Sequence, residues 1–404
     1  MTRPELLAPA GDLEKLKVAI IYGADAVYVG GKNFGLRAGA GNLSIDEIRE
    51  GVKFAHSQGA KVYVTVNIFA HNQDFKELPE YLTALQEINV DAVIVSDPGV
   101  FTLVREISPN IPIHISTQAN TTNWVSARFW SRLGAERIVL ARELNIEEIK
   151  EINERVKIDI ECFIHGAMCI SYSGRCLLSN YFTGRDANRG DCAQACRWRY
   201  ALVEEKRPGH YLPIIEEDRG TYILSSLDLC LIEYIPQLVQ AGVKSFKIEG
   251  RMKSVHYVAS VVKAYREAID SYINSPENYK FNARWLEDIA KVSNRDYTTG
   301  FLFGKPEQSA HYAGEIYKRQ YSFVGVVRGY DQDKKMAVVE QRNRFFVGDE
   351  LEVFLPRAES YQFRIPAMYN EVGKEISSAP HPQQILYIPF DEVPPYTMLR
   401  KPVI

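Results

Sequence analysis

The chain has 404 residues, of which 46% are hydrophobic and 25% charged, a composition that excludes a disordered or fibrous protein. Its 48 basic and 51 acidic residues give a net charge of −3, so any nucleic-acid site must be a local patch and not a property of the whole surface. No apolar stretch approaches the roughly 20 residues of a membrane span, and the start lacks a signal-peptide apolar region. We therefore expect a cytoplasmic protein with no membrane partner.

An amphipathic helix, a small turn and an apolar strand alternate through the first 250 residues. The apolar spacing predicts helices such as Leu13–Tyr22 and Leu78–Ile88. Eight such units, with no dinucleotide fingerprint after the first strand, favour an α/β fold of the (β/α)8 TIM-like barrel type over a doubly wound sheet. The predicted strands are Glu5–Ala8, Ala26–Gly30, Lys61–Asn67, Ala92–Ser96, Pro112–Ser116, Arg137–Ala141, Ile158–Ile164 and Ser245–Glu249.

About eighty residues separate strands seven and eight, so an insertion is predicted between them. It lies at about 165–240 and carries the cysteines. A short antiparallel meander is expected inside the insertion, made of Tyr200–Glu205, His210–Ile215 and Thr221–Ser225.

Three parts are predicted for the chain as a whole. The barrel, with its insertion, spans 1–273 and ends in the helix Ser254–Ile273. Residues 274–316 are a linker or helical extension. The alternating apolar pattern over 317–404 predicts a small C-terminal β-barrel domain.

Functional groups of such a barrel gather where its strands end. The Glu249-Gly250-Arg251 trio is compatible with a substrate clamp and equally with a neutral salt bridge. Asp97, before Pro98-Gly99, is expected to form a turn or to cap a helix, and Arg142 to form an exposed ion pair with Glu143. The strand ends carry Asn67, Asp97, Gln118, Arg142, Glu143, His165, Glu249 and Arg251.

The loop after strand two is rich in glycine, with five glycines in residues 30–41. It matches neither a Walker nor a Rossmann spacing. It is either a flexible wide turn or, because it contains Arg37, a cradle for a carboxylate or phosphate.

All six cysteines fall within 69 residues. In a reducing compartment a chain of this length needs no disulfides, so clustered cysteines indicate metal ligands or catalytic groups. Cys169, Cys176 and Cys192 follow strand seven, and Cys230 is predicted to open the helix before strand eight. Both segments emerge on one face of the barrel, where four thiolates can converge.

The spacing of these cysteines leaves their ligand open. No C-x-x-C knuckle of a structural zinc site is present, and iron–sulfur clusters accept more varied spacings, so a cluster and zinc are close alternatives. The third alternative is that the six cysteines are unrelated buried thiols. Cys162, inside strand seven, is expected to be a core thiol, whereas Cys196 can replace one of the four.

Basic and aromatic residues are interleaved around the cysteines. Between Ile164 and Tyr200, five arginines and two aspartates give a local charge of +3. This pattern suits single-stranded RNA or a planar anionic substrate, and a solvated face beside a metal site is the alternative. The arginines are Arg175, Arg185, Arg189, Arg197 and Arg199, and the aromatic residues are Tyr172, Tyr181, Phe182, Trp198 and Tyr200.

The segment Glu161–Ser179, ECFIHGAMCISYSGRCLLS, closely resembles the signature of the collagenase-like peptidase family U32. Its pattern, E-x-F-x-x-G-A-M-C-x-x-x-x-G-x-C-x-L-S, is too long for chance agreement. Other stretches also resemble family blocks: LLAPAGDLEKLKVAIIYGADAVYVGG, SSLDLCLIEYIPQLVQAGVKSFKIEGRMKS, NRDYTTGFLFG and the β region that follows.

This resemblance implies oxygen-independent hydroxylation with a [4Fe-4S] cluster, because the better-understood members are hydroxylation proteins and not peptidases. They include proteins that form 5-hydroxyuridine at the wobble position of tRNA, an rRNA cytidine hydroxylase and a pair acting in ubiquinone synthesis, with prephenate implicated as the oxygen source. A single barrel followed by a β domain is most similar to the tRNA branch. The implied cluster ligands are Cys169, Cys176, Cys192 and Cys230, with Cys196 as the alternative that one ubiquinone protein suggests.

Three hypotheses follow. In the first, a tRNA hydroxylase, His165 transfers protons, and Glu249 and Arg251 with Arg37 hold a small carboxylated donor. In this hypothesis the remaining substrate-binding candidates are Asn67, Gln118, Arg175, Arg197 and Arg199. The second is a peptidase with a Cys169 nucleophile, although neither H-E-x-x-H nor G-x-S-x-G occurs. The third is a non-catalytic, metal-stabilised module that binds RNA or a partner; a partner subunit is conceivable in all three.

Overall fold

The computed structural model describes residues 2–36, 41–169, 171–198, 216–217, 220–221, 227–292, 295–304 and 320–403. The first seven strands are β1 (Glu5–Pro9), β2 (Ala26–Gly30), β3 (Lys61–Val66), β4 (Ala92–Val95), β5 (Ile113–Ile115), β6 (Arg137–Val139) and β7 (Asp159–Ala167). Six helices alternate with them: α1 (Leu13–Ile21), α2 (Ile45–Ser57), α3 (Leu78–Ile88), α4 (Pro98–Ile107), α5 (Trp124–Arg132) and α6 (Ile146–Arg155).

The chain between β7 and the last barrel strand contains short elements. They are α7 (Leu178–Thr183), a two-residue antiparallel pair of β8 (Glu216–Glu217) with β9 (Gly220–Thr221), then β10 (Asp228–Cys230) and α8 (Ile235–Gln240). The expected strands Tyr200–Glu205 and His210–Ile215 lie outside the described residues, as does all of Thr221–Ser225 except Thr221. Cys230 was expected to open a helix; it ends β10 instead, since β10 pairs antiparallel with the extended end of β7.

The eighth barrel strand, β11 (Ser245–Ile248), pairs in parallel with β7 on one side and β1 on the other. This closes a barrel of eight parallel strands and confirms the (β/α)8 prediction. The long helix α9 (Val255–Asn274) then confirms the predicted Ser254–Ile273 helix, and α10 (Ala283–Ala290) and β12 (Tyr297–Thr298) follow, β12 pairing with β10. No helix in the described part of the chain is long and apolar enough to cross a membrane.

The C-terminal residues form one eight-stranded antiparallel sheet and a small strand pair. The sheet comprises β13 (Tyr321–Asp331), β14 (Met336–Gln341), β16 (Glu350–Phe354), β17 (Tyr361–Arg364), β18 (Met368–Tyr369), β19 (Glu375–Ile376), β21 (Ile385–Pro389) and β22 (Met398–Pro402), and the pair is β15 (Phe345–Phe346) with β20 (Ser378–Ala379). The sheet surrounds its own apolar core. Within residues 320–403, no strand pairing joins the two end strands of the sheet, β17 and β19. The sheet is therefore curled but does not close into a continuous ring of hydrogen-bonded strands.

Buried charges attach this sheet to the barrel helices. Arg400 of β22 is fully buried and donates to Asp288 of α10 at 2.9 Å and to Glu352 of β16 at 2.8 Å. The Tyr22 hydroxyl also donates to the Phe354 carbonyl at 2.9 Å. The Asp288 and Tyr22 contacts join the two parts, and their buried polar groups are paired across this contact, so they fix the sheet against α10 and the end of α1.

The interior of the barrel is charged at its N-terminal end. Glu161 of β7 is fully buried and accepts from Lys247 of β11 at 2.6 Å and from Arg137 of β6 at 3.2 Å. Arg137 also pairs with Glu5 of β1. Burial alone would raise the pKa of Glu161, but Lys247 and Arg137 outweigh it and hold the pKa below its ordinary value.

We predict that Glu161→Ala lowers the free energy of unfolding by about 3–5 kcal/mol, because it leaves two buried cations without their shared carboxylate. The measurement is urea unfolding of the full chain. Asp46→Ala is the control: it removes a surface ion pair with Arg49, and Asp46 is 89% exposed, so a change within about 0.5 kcal/mol is expected. Equal losses for the two variants would contradict the importance of the internal network.

Candidate active site

A cavity of about 550 Å³ opens where the barrel strands end. This is the size range of small-molecule sites. Its floor is made by side chains that point into the barrel, which are Tyr28, Ile94, Val139, Phe163 and Lys247. Its walls come from the loops after β2, β3, β5 and β6 and from residues after β7 and β11. Residues 168–198, which follow β7, are called the cysteine segment below.

Two contacts fasten the first half of the cysteine segment to the barrel. Glu143, just after β6, accepts from the Ser173 backbone N–H at 2.7 Å and from its hydroxyl at 3.1 Å. The Arg175 Nε donates to the main-chain oxygen of Gln118 at 2.8 Å. Ser173 and Gly174 have φ of 47° and 82°, so the turn between these anchors is left-handed.

A third contact fastens the second half. Arg189 makes a bidentate ion pair with Asp74, both distances being 2.8 Å, and donates to the Phe69 carbonyl at 3.0 Å. The Asn188 side chain binds both sides of Cys176, accepting from its N–H at 3.2 Å and donating to its carbonyl at 3.0 Å. The segment therefore lies across the barrel mouth, held by the loops after β3, β5 and β6.

Four cysteines of this segment line the cavity: Cys169, Cys176, Cys192 and Cys196. Thiols on one cavity wall are the donor type that zinc and iron–sulfur clusters require, so the donor chemistry fits either group. Within the described ranges, however, no three Cys, His, Asp or Glu side chains already stand close enough to hold one metal ion.

Cys230 does not line the cavity. It is 9% exposed, and its sulfur lies 3.8 Å from the Tyr265 hydroxyl. Burial raises the pKa of its thiol to about 11. The structure therefore brings Cys196, and not Cys230, to the same cavity as the other three predicted ligands. Cys162 is a buried core thiol, as expected.

His165, the expected proton-transfer residue, is also outside the cavity wall. It is 1% exposed, lies against the rings of Tyr257, Tyr265 and Tyr297, and its Nδ1 is 3.4 Å from the Tyr265 hydroxyl. Burial lowers the pKa of this imidazole to about 3. This placement is that of a core histidine and does not support proton transfer to a substrate in the cavity.

Arg251 lies in the cavity wall, as the strand-end argument expected. It is 3% exposed, and its Nη1 donates to the Thr65 hydroxyl at 3.2 Å. A Cβ on Gly30 would lie 1.9 Å from that Nη1, so the glycine that ends β2 makes room for the guanidinium. Gly250 has φ of 156° and a Cβ there would strike Tyr257.

Arg142 and Glu249 both line the cavity and pair with each other, at 3.0 Å. Arg142 also donates to the Ala167 carbonyl at 2.7 Å and lies over the Phe163 ring, with 3.8 Å between the guanidinium carbon and the ring centroid. The expected Arg142–Glu143 pair is wrong, because these neighbours in sequence point to different partners. Asp97 does cap α4 through the Val100 N–H, as expected.

The remaining substrate-binding candidates are divided. Asn67 and Gln118 line the cavity, and the Asn67 amide donates to the Ser116 hydroxyl at 3.2 Å. Arg175 does not line it and serves as an anchor. Arg37 and Arg199 lie outside the described residues, as does the side chain of Arg197.

Sequence reasoning missed two cavity-lining lysines, Lys247 and Lys253. Lys247 sits inside an apolar strand, where only the register of β7 against β11 reveals its partner Glu161. Lys253 follows the Glu249–Arg251 trio by two residues, so its place after a strand end was a signal that could have found it.

Sequence models of two families match this chain. Peptidase family U32 matches residues 11–312, and the Peptidase family U32 C-terminal domain matches residues 319–400. The chain is 49% identical to tRNA hydroxylation protein P1 of Bacillus subtilis, covering 99% of this chain and 95% of that protein. It is 38% identical to tRNA hydroxylation protein P of Escherichia coli, covering 96% and 94%. A 23S rRNA 5-hydroxycytidine synthase of Escherichia coli is 43% identical, covering 67% and 40%.

We predict that Glu143→Ala loosens the cysteine segment while leaving the barrel intact. The change removes the acceptor of the Ser173 N–H and hydroxyl, a loss of about 1–3 kcal/mol of local stability. Amide hydrogen exchange should accelerate at residues 171–176 and stay unchanged in β3 and β4. Glu147→Ala, an exposed residue in the first turn of α6, is the control, and the same exchange pattern in both variants would contradict the anchor role.

Proposed function

This chain belongs to peptidase family U32, and on that basis we propose that it is a tRNA hydroxylase that forms 5-hydroxyuridine at the wobble position without molecular oxygen. The observation that carries the proposal is the 49% identity, over 99% of the chain, to a protein named for tRNA hydroxylation. The cavity at the barrel mouth supports it, since 550 Å³ is enough for a small substrate group.

The proposed cofactor is a [4Fe-4S] cluster held by the thiols of the cysteine segment. Cys169, Cys176 and Cys192 are the ligands on which the family resemblance and the cavity wall agree. For the fourth ligand the resemblance favours Cys230, whereas the cavity lining favours Cys196. When bound, such a cluster would supply one-electron redox chemistry or activation of the donor beside the substrate.

The proposed oxygen donor is prephenate, a small dicarboxylate. Cationic side chains from the barrel support its binding, because Arg251, Lys247 and Lys253 all line the cavity. A planar guanidinium suits bidentate binding of a carboxylate. Both Arg251 and Lys253 follow the end of β11 in the cavity wall, so the proposal assigns the donor carboxylate to Arg251, with Lys253 as the second cation.

The target pyrimidine is proposed to bind through neutral polar groups. Asn67, Ser116, Thr117 and Gln118 line the cavity from the loops after β3 and β5, and such groups can hydrogen-bond the edge of a uracil. The cysteine segment, held over the mouth, would exclude water from the reacting base. Glu249 is proposed to act as a positioning residue through Arg142, to which it is bound.

The peptidase alternative has little structural support. It requires His165 to activate a Cys169 thiol. The imidazole is buried among tyrosines, does not line the cavity, and has a pKa lowered to about 3 by burial, which makes it a poor base. A non-catalytic module with a structural zinc is the remaining alternative, and metal content separates it from the hydroxylase.

We expect anaerobically purified protein to hold about four irons and four sulfides per chain, and no zinc. Cys176→Ala should lose both, and comparison of Cys196→Ala with Cys230→Ala identifies the fourth ligand, because only the true ligand's loss should destabilise the cluster. Cys162→Ala, a core thiol, is the matched control and should keep its iron. One zinc and no iron in the parent protein would contradict the hydroxylase and favour the binding module.

We expect Arg251→Ala to lower prephenate-dependent 5-hydroxyuridine formation at least about tenfold, since one lost charge-assisted hydrogen bond to a carboxylate costs about 1.5–3 kcal/mol. The loss should appear in the KM for prephenate, measured by nucleoside analysis of tRNA. Retained iron content and unfolding midpoint would exclude misfolding. Arg132→Ala, exposed on α5, is the control. An unchanged KM for prephenate in Arg251→Ala would contradict the assignment.

A further inference from the structure

Exposed apolar side chains are concentrated in the cysteine segment. Among the described residues, fifteen large hydrophobic side chains are exposed, and five of them lie within the 27 residues 172–198. Tyr181 is 82% exposed and Leu177 74%. Concentrated exposure of this kind usually marks a binding surface, because single exposed hydrophobic residues are otherwise scattered.

These side chains are close together on the segment. Leu177 and Tyr181 are one helical turn apart, joined by the Tyr181 N–H to the Leu177 carbonyl at 2.9 Å, so they share a face of α7. The rings of Tyr181 and Phe182 are edge to face at 5.2 Å. Helix α7 packs against the turn at 195–197, which places Trp198 beside it. Leu177, Tyr181, Phe182 and Trp198 are called the mouth platform below.

The mouth platform borders the cavity. Cys176 and Leu178, on either side of Leu177 in the chain, line the cavity. So do Ser179 and Arg185 of the same region and Cys196, which lies in the turn before Trp198. Met252, which follows β11, also lines the cavity and is 53% exposed. Exposed apolar surface therefore leads directly into the cavity.

Three arginines of the same segment whose side chains the structure describes have intramolecular partners. Arg189 is bound to Asp74, Arg185 to Asp191 at 2.7 Å, and Arg175 to the Gln118 carbonyl. Among the described side chains of the segment, therefore, these arginines neutralise acids or anchor the segment to the barrel. The large apolar side chains of the mouth platform are exposed to solvent. This arrangement favours stacking over phosphate binding as the contribution of the segment.

We propose that the mouth platform stacks on the unpaired bases that flank the target uridine in its loop, while the target base enters the cavity. The inference rests on the proposed function and deepens it by naming the residues that hold the RNA loop at the cavity mouth. A base inside a duplex cannot reach a cavity enclosed by barrel strands without leaving its stack, whereas a loop base is already free to enter. Exposed rings then replace the stacking partners that the loop base loses.

The test is binding of two fluorescein-labelled RNAs to the full chain: a hairpin with a uridine in its loop, and a blunt duplex of similar composition. Tyr181→Ala should weaken hairpin binding roughly five- to one-hundredfold and leave duplex binding unchanged. Tyr181→Phe keeps the ring and should bind as the parent does. Phe129→Ala removes a ring that is 55% exposed on α5, away from the cavity lining, and is the matched control.

A second readout separates stacking from a general loss of structure. A hairpin with 2-aminopurine next to the loop uridine should change its fluorescence on binding the parent and Tyr181→Phe, and much less on binding Tyr181→Ala. The affinity lost in Tyr181→Ala should be the same at low and high KCl, because stacking, unlike phosphate contact, releases no counterions.

The outcomes distinguish failure of the proposed function from failure of the platform. Parent protein that binds neither RNA would overturn the proposed function together with the platform. If Tyr181→Ala binds the hairpin as tightly as the parent does, the role of the mouth platform is wrong. The same holds if Tyr181→Ala loses equal affinity for the hairpin and the duplex. In either case the protein would still bind RNA, and the proposed function would stand.

Discussion

Strand β7 is the element on which the architecture of this protein depends, because it is hydrogen-bonded to three other strands. It pairs with β6 and β11 to close the barrel, and its last residues pair with β10. Along its nine residues it supplies Glu161 to the internal ion network, Phe163 to the cavity floor and His165 to a cage of tyrosines. At Gly166, with φ of 105°, the chain leaves the barrel; a Cβ there would lie 2.4 Å from the Glu249 carbonyl, so a larger residue would force the two strand ends apart.

The position of the cysteine segment is set by the point where the chain leaves β7 and by the loops that bind the segment. Arg142 binds the Ala167 carbonyl and Glu249 together, so the end of β7 and the end of β11 are held by one guanidinium. Because Glu143 follows directly in the chain, the loop after β6 holds both the root of the segment and its first turn. The wall that carries the cavity cysteines is thus built on rigid strand ends, which is the condition for holding a site in fixed geometry.

The sequence predicts the barrel well because buried parallel strands are continuous apolar runs, and every one of the eight lies within three residues of its expected bounds. The Asp97 cap is equally local and equally predictable. The site is less predictable from the sequence, because its contacts join residues that are distant in the chain. Lys247 and Glu161 are 86 positions apart, and Arg189 and Asp74 are 115 apart. The position of His165 could not be predicted for a related reason. A residue at a strand end is expected to line the cavity, yet the pairing of β10 with β7 and the ring of Tyr265 enclose His165 in the core.

A chain with a net charge of −3 that acts on RNA must prevent its own carboxylates from repelling the phosphates. At this mouth the described acids are bound: Asp191 to Arg185, Asp74 to Arg189, and Glu249 to Arg142. Arg185 and Arg189, two of the arginines that suggested phosphate binding in the sequence, therefore neutralise acids that would repel phosphates. Under the proposed function, attraction comes from the exposed rings at the mouth and from Arg251 and Lys253, which line the cavity. Such a surface selects a substrate by whether its bases are free to stack, and its affinity should depend on salt less than that of a basic RNA-binding face.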